Sequence, residues 1–182
     1  LIIDELNEFI NSKRGDQLAL TISRINAINS KFEIFGISGT TSNKSYLVNW
    51  LSFNGKTKII KNNVKKKIKI KVLCSENIPT SGHSSYCSLS LIKKIISNKR
   101  SLIFVNTRAQ AEILFKNLFL LFTDNFKLGL HHGSLSKEHR QKTEKKFINQ
   151  EINTIISTSS LELGIDFKNI DQVLNIGTPK SI

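Results

Sequence analysis

The chain has 182 residues, 39% hydrophobic and 23% charged, enough to bury one large core or two small ones and too apolar for a disordered tail. Its apolar runs, such as Leu118 to Phe122, fall well short of the roughly 20 residues of a membrane-spanning helix, so no transmembrane helix is expected; Cys74 and Cys87 form no CxxC pair, which argues against a disulfide scaffold or structural zinc and fits a reducing, cytoplasmic setting. The net charge of +13 suggests a polyanionic partner such as nucleic acid, yet 22 of the 27 basic residues are lysine and Lys, Asn and Ile fill 66 positions, a bias that looks like AT-rich coding and discounts the inference.

There is no methionine, and the chain opens at Leu1 inside an apparent strand, so it reads as an internal fragment in which no targeting peptide can be judged. The spacing predicts a strand at Leu1 to Asp4, ending in acids, and a helix over 16 to 29, where Leu18, Ala19, Ile22, Ile25 and Ile28 recur at helical intervals. Glu33 to Ser38 reads as a strand, followed by a short helix that Asn43 can cap and that carries Leu47, Trp50 and Leu51. Two more β-leaning runs lie at 57 to 60 and 68 to 73. Ser75 to Ser85, with Pro79, Gly82 and several serines, reads as a linker.

Beyond it, a helix at Leu89 to Ile96 precedes strand Leu102 to Val105, helix Ala109 to Phe122, strand Leu128 to His131, helix Lys137 to Gln150, strand Thr154 to Ser157 and strand Gln172 to Ile176. Alternation of strands and helices predicts βαβ units and a parallel sheet, with ligands at the carboxyl ends of the strands.

Residues that could carry chemistry cluster at those ends. Asp4-Glu5 suits nucleotide hydrolysis, with the aspartate holding Mg²⁺ through its waters and the glutamate activating a water, but two acids can equally cap a strand. Ser38-Gly39-Thr40 is either an ordinary turn or a hydroxyl bridge from the acids. Asn106-Thr107-Arg108 opens a helix, where free N–H groups favour a phosphate and where simple capping is the plainer reading. His131-His132-Gly133-Ser134 lacks a carboxylate at ligand spacing, so a turn or a nucleic-acid backbone contact fits better than a metal site. In Thr158 to Asp166 a hydroxyl-rich strand end, Gly164 and Asp166 stand together; the simple alternative is a glycine turn capped by the aspartate. The run from Lys56 to Lys71 holds eight lysines and no acid and reads as a solvated face, with a nucleic-acid track as the alternative. Asn54-Gly55-Lys56-Thr57 imitates the end of a P-loop, but the required first glycine is Trp50.

In order and spacing these segments resemble superfamily two helicases. IIDELN is similar to the DExH box and ISGT to the SAT box, while IFVNTRAQAE, LHHGSLSKEHR and ISTSSLELGID are similar to successive motifs of the second RecA-like domain. The wording most resembles the large helicase-related (Lhr) family, especially its ligase-associated DEXH-box branch, through SKRGDQLAL and NIGTPKSI, and the resemblance covers nearly all of residues 1 to 182.

It implies an α/β fold of two RecA-like parallel-sheet domains: residues 1 to 75 as the C-terminal part of the first, 76 to 85 as linker, and 86 to 182 as most of the second, cut before its last motif. It implies ATP and Mg²⁺ as cofactors, with Asp4 at the metal and near the nucleotide, Glu5 as base, and Gly164 and Asp166 approaching the nucleotide. Asn7, Ser38 and Thr40 would couple ATP state to strand movement, and Arg14, Arg108, His132, Gly133, Thr158 and Ser159 would contact the tracked strand. The implied parent is an ATP-dependent helicase moving on single-stranded or partly duplex nucleic acid, DNA with 3′ to 5′ polarity, in DNA repair, while the fragment alone, without P-loop or arginine finger, is expected to be inactive. Asn7 stands where the family has His and Gly39 where it has Ala. A non-catalytic nucleic-acid-binding relative and an RNA helicase are the alternatives, although DELN and LELGID speak against the DEAD type.

Overall fold

The computed structural model describes residues 1–29, 31–39, 44–52, 57–61, 68–75, 88–122, 127–161, 167 and 169–177. The chain forms two compact units, Leu1–Lys69 and Ile70–Ile182. That division falls just before the expected linker, whose residues 76 to 85 lie outside the described residues.

The first unit contains β1 (Ile2–Ile3), α1 (Leu6–Phe9), α2 (Lys13–Ile28), β2 (Phe35–Gly36) and α3 (Lys44–Leu51). β1 and β2 pair in parallel, Ile2 opposite Phe35 and Ile3 opposite Gly36. Ile3, Leu6, Ile22 and Leu47 form the buried centre, with Phe9, Leu18, Trp50 and Leu51 packed against it. α2 starts three residues earlier than the apolar period indicates because Ser12 caps it: the Ser12 hydroxyl accepts from Gly15 N at 3.1 Å and donates to Phe9 O at 2.8 Å. This fold-back brings the Phe9 carbonyl against α2, where a Cβ on Gly15 would stand 1.8 Å from Phe9 O. The four-residue α1 is too short to show a period in sequence.

The runs at 57 to 60 and 68 to 73 are not strands, contrary to their composition. A β conformation is stabilised by a ladder partner. None is present among the described residues, and Ile60 remains 88% exposed.

The second unit carries α4 (Leu89–Ile96), β3 (Ser101–Val105), α5 (Arg108–Leu121), β4 (Leu128–His131), α6 (Lys137–Ile148), β5 (Thr154–Ser157), a 3-10 turn (Ser159–Leu161) and β6 (Gln172–Ile176). The four strands form one parallel sheet in the order β4-β5-β3-β6. Period-two alternation splits the core between its faces. Ile103, Val105 and Ile156 pack with Ile92, Ile96, Leu114 and Leu118 of α4 and α5, whereas Leu102 and Ile155 pack with Phe147 of α6, Ile152 and Leu161. Phe147 is fully buried, edge-on to Phe167 at 5.2 Å, with the Arg100 guanidinium 4.6 Å from its ring. Both faces of a parallel sheet must be covered, and these helices do so, as the α/β reading expected. No helix among the described residues is long and apolar enough to cross a membrane.

Because the atom that crowds Gly15 is backbone, Gly15→Ala should lower the stability of the first unit by about 1–3 kcal/mol, as overpacking typically does, while the exposed control Gln17→Ala should stay within about 0.5 kcal/mol of the parent. Urea denaturation of both variants checks this; equal midpoints would contradict the close approach.

Candidate functional site

In the first unit the acids stand at the carboxyl end of β1. Glu5 sits at φ 49°, ψ 47°, a left-handed conformation uncommon for a residue with a side chain. It is the residue before α1, and the strain turns the chain sharply from strand to helix. Asp4 Oδ1 accepts from Glu5 N at 2.9 Å, and Leu6 N donates to Ile37 O at 2.9 Å, which ties the turn to the segment after β2. Both acids are exposed. The other Asp4 oxygen and the Glu5 carboxylate make no hydrogen bond among the described residues. One Asp4 oxygen therefore does cap the turn, and the remaining acid oxygens stay available.

Asn7 and Ser38 meet: the Ser38 hydroxyl donates to Asn7 Oδ1 at 2.8 Å, and Asn7 Nδ2 donates to Glu8 Oε1 at 3.3 Å. The segments after β1 and β2, 31 residues apart, are thus joined by a direct side-chain bond. Arg14 is exposed on the first turn of α2. Thr40, Gly164 and Asp166 lie outside the described residues.

In the second unit, register aligns the strand ends. His131, Ser157, Phe104 and Asn175 form one rung across β4, β5, β3 and β6. Ser157 Oγ lies 2.9 Å from His131 O and 2.8 Å from Thr158 O, and Thr158 N donates to His131 O at 3.3 Å, so the ends of β4 and β5 are pinned together.

Just past the rung stand the predicted contacts. Thr107 and Gln110 form a capping box at the start of α5: the Thr107 hydroxyl accepts from Gln110 N, and the Gln110 side chain accepts from Asn106 N and Thr107 N. Arg108 follows, exposed, in a first turn that holds no acid. A cation there opposes the helix dipole, a cost that an anionic ligand would offset. Its guanidinium reaches the loop after β4, where Nη2 is 3.5 Å from the Cβ position of Gly133. Thr158, 9% exposed, and the exposed Ser159 follow β5, which lies between β3 and β4 in the sheet. His132 is buried; its Nδ1 accepts from Ser134 N at 3.3 Å, and its Nε2 lies 3.2 Å from Glu112 Oε1 of α5 without hydrogen-bond alignment.

Two carboxylates at the histidine pair come from other helices, which sequence spacing near 131–134 could not reveal. Glu112 faces His132, and Glu144 of α6 lies 2.8 Å from Nε2 of the buried His131, whose Nδ1 is 3.1 Å from Ser160 Oγ. These lie too far along the chain for a local motif; the only sequence signal was the apolar environment expected of the last residue of a core strand. No group of three His, Cys, Asp or Glu that could enclose a metal occurs among the described residues. Asp4, with one carboxylate oxygen outside any hydrogen bond among the described residues, offers a single hard oxygen donor of the kind a divalent cation accepts.

Residues 87–182 match the family model of the helicase conserved C-terminal domain, and the chain belongs to that family. It is 37% identical over 187 residues to the ATP-dependent helicase Lhr-Core of Methanocaldococcus jannaschii, a match that takes in all of this chain and 22% of that protein. The structure of Mycobacterium smegmatis helicase Lhr bound to ssDNA and AMP-PNP superposes with a TM-score of 0.80 at 26% identity, over 98% of this chain and 24% of that one. S. cerevisiae Dbp5 bound to RNA and ADP BeF3, at 20% identity and a TM-score of 0.71 over 98% of this chain and 44% of that one, shares the fold. The resemblance to the large helicase-related proteins is therefore borne out, as is the RecA-like parallel-sheet fold. The chain spans about a fifth of the length of such curated relatives.

A double-mutant cycle of Asn7→Ala and Ser38→Ala tests the joint between the two strand-end segments. We expect a coupling of about 0.5–1.5 kcal/mol in urea denaturation, the net contribution of one hydrogen bond, and strict additivity would contradict the bond.

Proposed function

We propose that this chain is the part of an ATP-dependent DNA helicase in which nucleotide hydrolysis drives movement along single-stranded nucleic acid and unwinds the duplex ahead, with 3′ to 5′ polarity and a place in DNA repair. The observation that carries the reading is that similarity to a protein named ATP-dependent helicase runs the whole length of the chain, while the acid pair and the hydroxyl and arginine residues stand just beyond the carboxyl ends of parallel strands.

Each residue then has a role set by its chemistry. ATP and Mg²⁺ are the cofactors, and Mg²⁺ when bound screens the phosphate charge. Asp4 would hold the ion, offering the oxygen that makes no hydrogen bond among the described residues. Glu5, exposed and without a hydrogen-bond partner among the described residues, takes the proton of the attacking water. Gly164 and Asp166, which lie outside the described residues, take the nucleotide-binding role that the family resemblance implies for them. Asn7 and Ser38, already bonded, pass the acid turn's position to the segment after β2, with Thr40 next in line. Arg108 pairs with backbone phosphate, helped by the free N–H groups at the start of α5, while Gly133 lets the strand approach closely and His132, Thr158 and Ser159 complete the contact. Arg14 supplies a further cation from α2. The domain plan is the one set out from sequence, a partial first RecA-like domain followed by most of a second.

These 182 residues contain no GxxxxGK[ST] run, so the isolated chain should show no nucleic-acid-stimulated phosphate release, and release at a helicase-like rate would overturn the assignment. In a full-length protein, Glu5→Gln should lower kcat about 10²- to 10⁴-fold with ATP binding retained, whereas Asp4→Asn should weaken Mg²⁺ dependence and nucleotide affinity together. Turnover of Glu5→Gln within a few-fold of the parent would make the acids a strand cap.

A further inference from the structure

α5 covers one face of the second sheet, and its outer side is not the side a solvated helix presents. Leu114 and Leu118 are buried in the core, with Phe115 and Phe122 packed against it. The residues that remain should be polar, yet Phe119 is 61% exposed and Leu120 73%, and Ile113 and Leu121 are exposed beside them. From Ile113 to Phe122 the one charged residue is Lys116. A helix that is apolar all round belongs in a buried setting. α6, which covers the opposite face, shows the contrast, for it leaves Gln141, Lys142, Lys145 and Lys146 exposed.

The apolar face is held in place from below. Phe115 rests on the core, and its ring stacks with that of Phe119 at 6.1 Å between centroids. Lys93 of α4 donates to the Leu121 carbonyl and stands 5.2 Å from the centre of the Phe122 ring, which fixes the end of the helix. By their spacing Ile113, Lys116 and Leu120 share one stripe, with Phe119 along one side and Leu121 along the other. The result is a pre-formed apolar surface with a cation at its middle.

Its size and charge select the occupant. With ~150–250 Å² for a phenylalanine and somewhat less for leucine or isoleucine, the four exposed side chains offer roughly 400 Å², about half of what each partner contributes to a stable complex of separate molecules. A second copy also fits poorly, because a two-fold contact centred on the patch sets Lys116 against Lys116 with no acid from Ile113 to Phe122 to offset it. A small contact suffices when the partner is tethered, since the linkage supplies a high effective concentration. This chain spans 22% of the Lhr-Core relative, so a protein of that plan has further domains to supply such a partner.

We propose that the outer face of α5, centred on Phe119 and Leu120, seats another domain of the same polypeptide through an amphipathic helix that lays apolar residues on the patch and brings a carboxylate to Lys116. The proposal rests on the reading of these residues as part of a longer helicase.

Hydroxyl-radical footprinting of the 182-residue chain and of a full-length protein tests this, with oxidation of Phe119 read by mass spectrometry. Docking excludes water from the centre of the contact, so Phe119 should be oxidised about fivefold more slowly in the full-length protein. Leu120→Asp, at an exposed position outside the core, should leave the urea midpoint of the 182-residue chain in place and return Phe119 of the full-length protein toward the faster rate. Lys116→Glu should do the same by repelling the carboxylate, and serves if Leu120→Asp fails to fold. Equal rates in the two proteins, with ATP turnover by the full-length one intact, would overturn the docking and leave the helicase reading standing. Slow oxidation in a full-length protein without ATP turnover would uphold the docking and count against that reading. Sedimentation of the 182-residue chain as a dimer that Leu120→Asp dissociates would assign the face to a second copy and overturn the proposal as well.

Discussion

The second unit depends on the register of β3 with its neighbours. β3 pairs in parallel on both sides, Phe104 opposite Ser157 of β5 and opposite Asn175 of β6, and β5 sets Ser157 opposite His131 of β4. Parallel strands expose all their carboxyl ends on one edge, and a shift of one residue would turn core side chains to the opposite face. Burial of Ile103, Ile155 and Ile156 at 0% exposure holds the register, and the loops after β3, β4 and β5 consequently leave from one line. Arg108 reaching Gly133 and the Glu144–His131–Ser160 chain both follow from that alignment.

The first unit reaches a comparable edge by different means. Its two strands are two residues each, too short to define a sheet alone. The acid turn is held instead by Leu6 N to Ile37 O, by the Asn7–Ser38 bond, and by burial of Leu6. The left-handed Glu5 is the strained element, and strain of this kind persists only where the surroundings fix it.

Much of this was legible in the sequence because local pattern and fold agree. The helix at Leu89–Ile96 and the strands at Leu128–His131, Thr154–Ser157 and Gln172–Ile176 follow periodicity and β-branched content, and the residues past them announce themselves by type. The runs at 57 to 60 and 68 to 73 misled because composition reports β propensity and says nothing of a partner strand. Glu112 and Glu144 were invisible for the opposite reason, since the contact of α6 with the end of β4 exists only after both βα units have packed. The candidate site was thus readable as motifs, and its wiring needed the structure.

The central proposal is that the carboxyl edge of the second unit binds a nucleic-acid backbone. Amide chemical-shift mapping of the chain on addition of single-stranded DNA tests it most directly. The account predicts the largest perturbations at Asn106–Arg108, His132–Ser134 and Thr158–Ser160, three segments that meet only along that edge. Perturbations confined to the lysine-rich run from Lys56 to Lys71, with those three segments unmoved, would contradict it.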